Sequence, residues 1–245
     1  MFVDTHIHLQ DYKTQDVKNV VTNARKNGVV HFINPSAHPA DWQKIAQLAA
    51  EYPEITPAFG VHPWHIAETP QNWAQTLADI LKQNPSAWVG ECGIDRLKNQ
   101  NISSQINILK THIDLVQQFN RPLIIHSVKA DSEMTALFSA LPHRTIFHSF
   151  TGSAEWGQAI QKHGFFIGLN FSILRKKNAT EILRALNPTQ ILLETDGPYQ
   201  NFEHGVETLP QNLPLLAQKI ADLLQIPYTE FVQIITANQT AFSGE

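Results

Sequence analysis

The sequence predicts an α/β protein, a (β/α)8 TIM-like barrel open to distortion, built as a single domain over residues 1–245. Three observations carry that expectation. Short apolar runs rich in Val, Ile and Phe alternate with amphipathic stretches throughout the chain. Several runs lack the apolar–polar alternation of a half-exposed strand, as parallel strands covered on both faces do. The run ends recur about every 27 residues, the pitch of a βα unit, so eight units account for the chain. No Gly-x-Gly-x-x-Gly follows the first run, which disfavours a doubly wound nucleotide-binding sheet. No Pro/Gly/Ser-rich linker divides the chain.

Taken in order, the expected strands are Phe2–His6, Val29–Asn34, Ile55–Val61, Ala87–Glu91, Leu123–Ser127, Thr145–His148, Phe165–Asn170 and Gln190–Glu194. Helical periodicity falls between them, over Asp16–Lys26, Asp41–Glu51 and Asn72–Gln83. The clearest stripe is Ile106, Leu109, Ile113 and Val116, with Ser103 or Ser104 as its cap. Ser132–Ala140, Ala154–Lys162 and Ala179–Leu186 follow. Asn212–Leu224 repeats the pattern through Leu215, Leu216, Ile220 and Leu223, and Tyr228–Ala237 makes a last helix.

Composition narrows the function. Apolar residues make up 42% of the chain, with 11 Gly and 14 Pro, which excludes a disordered or collagen-like protein. The single cysteine, Cys92, excludes an internal disulfide and a multi-cysteine metal knot. No uninterrupted apolar run is long enough to span a bilayer, so no membrane association is expected. Met1–His6 shows neither a basic nor an apolar leader region, so the expected location is the cytoplasm. Eighteen Lys and Arg against twenty-two Asp and Glu give a formal charge of −4. The one dense basic run is Arg175-Lys176-Lys177, so any non-specific hold on nucleic acid is weak.

The strand ends carry the chemistry. His6 and His8 close the first run, and on extended backbone side chains at i and i+2 point the same way. Glu91 ends the fourth run, His126 the fifth and His148 the sixth, while Asp196 follows the eighth. In a barrel all would gather at the C-terminal rim, where this fold places its active sites. Four imidazoles and two carboxylates exceed one tetrahedral site, and they suit divalent ions. Two ions are the expectation: His6, His8 and Asp196 on the first, His126 and His148 on the second, and Glu91 bridging. Asp196 and Glu91 are the candidate catalytic residues, Asp196 to take or orient the proton of an attacking water. His62 and His65 follow the third run on the same rim, in Gly60-Val61-His62-Pro63-Trp64-His65. His62 and His65 are expected to contact substrate or to stand behind the ligands and support them, with His62 the candidate substrate contact. His38, His112, His143, His163 and His204 are expected to serve packing or surface roles, and Cys92 packing.

Six segments in the right order carry a resemblance. They are Val3-Asp4-Thr5-His6-Ile7-His8-Leu9, Gly60-Val61-His62-Pro63-Trp64, Gly90-Glu91-Cys92-Gly93-Ile94-Asp95, Arg121-Pro122-Leu123-Ile124-Ile125-His126-Ser127, His148-Ser149-Phe150-Thr151-Gly152 and Glu194-Thr195-Asp196-Gly197-Pro198-Tyr199. Asn212-Leu213-Pro214 and Thr236-Ala237-Asn238 add to them. The chain resembles the TatD-type metal-dependent deoxyribonucleases nearly end to end. The resemblance implies a TIM-like barrel and the same six ligands. It also implies hydrolysis of DNA phosphodiesters with divalent ions: Mg2+ in function, with Zn2+, Mn2+ or Ni2+ able to take the same donors.

DNA or another phosphodiester, held weakly and trimmed from the end of a single strand, is the expected partner, and no obligate protein partner is expected. Where members often have Arg two residues beyond the fifth-strand His, this chain has Val128 and then Lys129, and Arg96 replaces an aromatic residue. Arg96 and Lys129 join His62 as candidate contacts to a flanking phosphate. The stretch Gln200–Glu207 replaces a basic loop and brings two acids. The alternative function is a binuclear hydrolase of small amides, esters or lactones.

Overall fold

The computed structural model describes residues 1–97, 101–200 and 206–244. Residues 201–205 of the Gln200–Glu207 stretch, with His204, lie outside the described residues. The strands are β1 (Phe2–Asp4), β2 (Val29–Pro35), β3 (Ile55–Phe59), β4 (Trp88–Asp95), β5 (Leu123–Val128), β6 (Thr145–Phe147), β7 (Phe166–Leu169) and β8 (Ile191–Leu193). They follow one another from β1 to β8 in a single eight-stranded sheet. The helices are α1 (Val17–Lys26), α2 (Trp42–Glu51), α3 (Trp73–Gln83), α4 (Ile102–Phe119), α5 (Asp131–Leu137), α6 (Ala154–Lys162), α7 (Ala179–Ala185), α8 (Leu213–Leu224) and α9 (Tyr228–Ser243). Among the described residues no helix is long and apolar enough to cross a membrane. The chain divides into two compact units, Met1–Ile33 with His148–Glu245, and Asn34–Phe147.

In the unit that holds both termini, β1 pairs parallel with β2 and β7 with β8. Phe32, Ile167, Leu169, Ile191, Leu192 and Leu193 are buried, as are Leu216 and Ile220 of α8 and Phe231 and Ile235 of α9. Asp16 caps α1 by accepting the Asn19 N–H at 2.7 Å. The last helix outruns its expected end at Ala237 and stops at Gly244, whose φ of 77° only glycine takes readily. On α9, Asn238 donates from Nδ2 to the carbonyls of Pro188 and Ile191, each at 2.7 Å, which ties the helix to the start of β8.

In the other unit β3, β4, β5 and β6 pair parallel in succession. Phe59, Leu77, Leu81, Leu109, Ile113, Ile124 and Ile146 fill its interior. The cap of α4 is Asn101, which accepts from Ser103 N–H at 2.9 Å, rather than either serine. An Asn five residues ahead of the stripe satisfies the same orphan N–H groups as a serine, so periodicity could not choose between them.

β4 departs furthest from expectation. It runs on to Asp95, buried throughout, so Glu91 sits inside the strand and not at its end. Val89 pairs with Leu123 but Cys92 with Ile125, so β4 holds one more residue than β5 between those pairs. This bulge falls on Gly90 and Glu91 and re-aims the glutamate. At Gly93, φ is 151° and a Cβ would collide with the His126 carbonyl, so β4 reaches β5 this closely only with glycine there.

Candidate metal centre

His6 and His8 lie beyond the end of β1, on irregular backbone and not on the extended strand expected. Their Nε2 atoms still converge, 3.2 Å apart. Two nitrogens bound to one ion at about 2.0–2.1 Å are separated by roughly that distance. Asp196 Oδ1 lies 3.9 Å from His6 Nε2 and 3.6 Å from His8 Nε2. Backbone bonds build this pocket: Asp196 N–H to His6 O at 2.9 Å and His8 N–H to Gly197 O at 2.7 Å. Asp196 itself has a φ of 54°, a left-handed conformation that Asp tolerates better than most residues. His148, expected to share the second ion with His126, stacks on His6 with ring centroids 3.9 Å apart and 8° between planes. His6, His148 and Asp196 present ligand atoms within 4.8 Å of one another.

Buried acids support these residues. Glu194, fully buried, accepts from Ser149 N–H at 2.6 Å and from Asn170 Nδ2 at 3.2 Å, and lies 3.6 Å from His148 Nδ1. Gly168 makes room for it, because a Cβ there would strike Glu194 Oε2. Asp4 accepts from Thr195 N–H at 2.9 Å and from the Thr195 hydroxyl. Burial pushes its carboxyl up to about 7 against those hydrogen bonds.

In the other unit, Glu91 Oε1 lies 2.9 Å from His126 Nδ1 and 3.3 Å from His62 Nε2. These three residues form another group with ligand atoms within 4.8 Å. The Trp64 N–H donates to His62 Nδ1 at 3.1 Å, so the proton of a neutral His62 sits on Nε2 and is given to Glu91. His62 therefore steadies the glutamate and offers no lone pair to an ion. Asp95 accepts from Trp64 Nε1–H at 2.6 Å and Leu97 N–H at 2.8 Å, and its Oδ2 lies 3.3 Å from His126 Nε2. Burial opposes its ionisation, but bonds from His126, Trp64 and Leu97 outweigh it and hold the carboxyl well below the usual range. Arg96 is exposed and pairs with Glu133 at 3.3 Å. Lys129 is exposed just past β5, with φ of 51°.

His112 of α4 is fully buried. Its Nε2 accepts the Val61 N–H at 3.1 Å, while Nδ1 lies 2.8 Å from Ile108 O and donates to it. Burial lowers its pKa to about 4. A further group, His38, His65 and Glu68, also has ligand atoms within 4.8 Å. Ala40 N–H donates to His38 Nδ1 at 2.9 Å, so His38 presents a proton on Nε2 to Glu68 and not a lone pair. Cys92 is buried with Sγ 3.8 Å from Ile124 O. Burial, and then the neighbouring Glu91, push its thiol far above the ordinary range.

A family model described as TatD related DNase matches residues 3–243. The chain belongs to the TatD related DNase family. Among TatD relatives, Deoxyribonuclease TATDN3 of Homo sapiens is 27% identical over 253 residues, covering 96% of this chain and 92% of the relative. The 3'-5' ssDNA/RNA exonuclease TatD of Edwardsiella piscicida is 31% identical over 194 residues, covering 75% of this chain and 74% of the relative. The crystal structure of YJJV, a TatD homologue of Escherichia coli, superposes with a TM-score of 0.92 at 24% identity, covering 98% and 97% of the two chains. The TatD fold, an α/β barrel of eight parallel strands, is therefore the fold of this chain.

The acids Asp4, Asp95 and Glu194 escaped the sequence reading. Each lies within a few residues of a candidate ligand and inside a motif of the TatD resemblance, which was the one available signal. Trp64, Ser149 and Thr195, which donate to Asp95, Glu194 and Asp4 in turn, lie 31, 45 and 191 residues away in sequence.

Proposed function

We propose that this chain is a metal-dependent deoxyribonuclease that hydrolyses phosphodiester bonds of DNA, trimming single strands from an end. The observation that carries the reading is the convergence of His6 Nε2 and His8 Nε2 at 3.2 Å beside Asp196, a donor set and spacing made for a divalent ion. Family membership and the names borne by relatives, an exonuclease on single-stranded DNA and RNA among them, support it.

In this proposal His6, His8 and Asp196 hold one ion, His126 and His148 a second, and Glu91 serves both. Divalent ions would supply a water that ionises near neutral pH and a clamp for charge growing on the phosphoryl oxygens. The remaining chemistry belongs to the chain. The Asp196 carboxylate takes the proton of the attacking water and orients its oxygen in line with the departing sugar oxygen. Glu194, 3.6 Å from His148 Nδ1, holds that ring in place. Arg96 and Lys129 meet the flanking phosphate, while His62, its Nε2–H already given to Glu91, steadies that glutamate and is not kept as a phosphate contact. The whole chain acts as one domain.

The test is a panel of end-labelled single-stranded DNA, RNA, small phosphodiesters, amides and lactones. Each is incubated with Mg2+, Mn2+ or Zn2+ and with chelator, with Asp196→Asn as the control for contaminating nuclease. End-on shortening of DNA that needs the ion and vanishes in the variant is expected. Turnover of an amide or lactone with DNA untouched would replace the reading with that of a small-molecule hydrolase.

A further inference from the structure

We propose that Asp95 is a positioning residue that fixes the proton of His126 on Nε2 and so keeps Nδ1 open as a ligand. The role of that open nitrogen rests on the metal-dependent reading above. The proton assignment does not, because it follows from counting donors.

Two groups that can only donate point at the Asp95 carboxylate: the Leu97 N–H at Oδ1 (2.8 Å) and the Trp64 indole N–H at Oδ2 (2.6 Å). Both oxygens are thereby acceptors. His126 Nε2, 3.3 Å from the same Oδ2, satisfies that contact only as an N–H donor. A neutral ring then carries its lone pair on Nδ1, which faces Glu91 Oε1 at 2.9 Å. That oxygen already accepts from His62 Nε2–H, 3.3 Å away. Two lone pairs at this separation repel unless a cation lies against both, either a second proton or a divalent ion. Donors sharing one ion at about 2.0–2.2 Å stand roughly this far apart.

The carboxylate is held before any ligand arrives. Gln105, fully buried on α4, clamps the Asp95 backbone from both sides: Asp95 N–H donates to its Oε1 at 2.7 Å, and its Nε2 donates to Asp95 O at 3.2 Å. Trp64 thus sets two imidazoles at once, His62 through its backbone N–H and His126 through its indole and Asp95.

Asp95→Asn tests the proposal. An amide NH2 placed toward Leu97 opposes an N–H. Placed toward Trp64 it opposes the indole and donates to His126 Nε2, driving the ring proton to Nδ1. Long-range 1H–15N spectra of metal-free protein at alkaline pH, with the His126 signal assigned from a His126→Gln variant, should show Nε2–H in the native chain and Nδ1–H in Asp95→Asn. Calorimetric titration with Mn2+ should show one ion weakened roughly 10- to 100-fold and the other retained. An Nδ1–H ring in the native protein overturns the proposal without need of any variant. So does a folded Asp95→Asn protein with an unchanged tautomer and unchanged affinities. Failure of the native chain to bind any divalent ion would sink the metal reading, while the spectrum alone would still decide the proton assignment.

Discussion

Asp196 and Glu91 bear the two most exacting roles proposed. Asp196 is held in a left-handed conformation by its N–H to His6 O, so an asparagine fits the same backbone while losing the charge and the proton acceptor. Asp196→Asn should keep its far-UV circular dichroism and unfolding midpoint while turnover falls at least about 100-fold, measured on end-labelled single strands. Glu91→Gln should lower the content of both ions together, read by metal analysis of the purified protein, because one side chain is proposed to serve both. Loss of a single ion would remove the bridge. The six proposed ligands could be picked out as candidates in the sequence because each stands in a short motif beside an apolar run. The acids behind them were not, because in one dimension Asp95, Glu194 and Asp4 look like any other carboxylate. What marks them is burial against donors carried on loops and turns elsewhere in the chain, such as Trp64, Ser149 and Thr195.

At the scale of elements, α4 does more than cover β4. His112 on its buried face accepts the Val61 N–H, one residue before His62, and so braces the turn that aims His62 at Glu91. Its pKa falls from 6.5 to about 4 in the folded chain, so the unfolded chain binds more protons between those values. The stability it contributes is therefore complete above about 6.5 and is lost as pH falls toward 4. The effect is of the order of 3 kcal/mol at most. His112→Gln should flatten the rise of urea stability between pH 4 and 6.5 relative to the native chain. Strand and helix periodicity was readable for every one of these elements, since apolar spacing survives without tertiary knowledge. The β4 bulge was not: one extra residue leaves no trace in hydrophobic period, and its cause, glycines pressed on β5, exists only after pairing.

For the whole molecule, a formal charge of −4 limits what the surface can do for a polyanion. Affinity for single-stranded DNA should rest on the ions and a few cations, giving a slope of log K against log salt no steeper than about −2 in magnitude, against about −0.7 per phosphate engaged. Titration of a fluorescent oligonucleotide across salt concentrations checks it; a steep slope would reveal a basic track that the charge count does not suggest.

The lone thiol of Cys92 has a further use. Sealed in β4 beside Glu91 and strongly disfavoured from ionising, it is chemically silent while the strand stays paired. Any excursion that peels β4 from β5 uncovers it, and with no second cysteine to confuse the signal, its rate of alkylation is a clock for how often the heart of the sheet breathes. Added divalent ions should slow that clock, and chelator should quicken it.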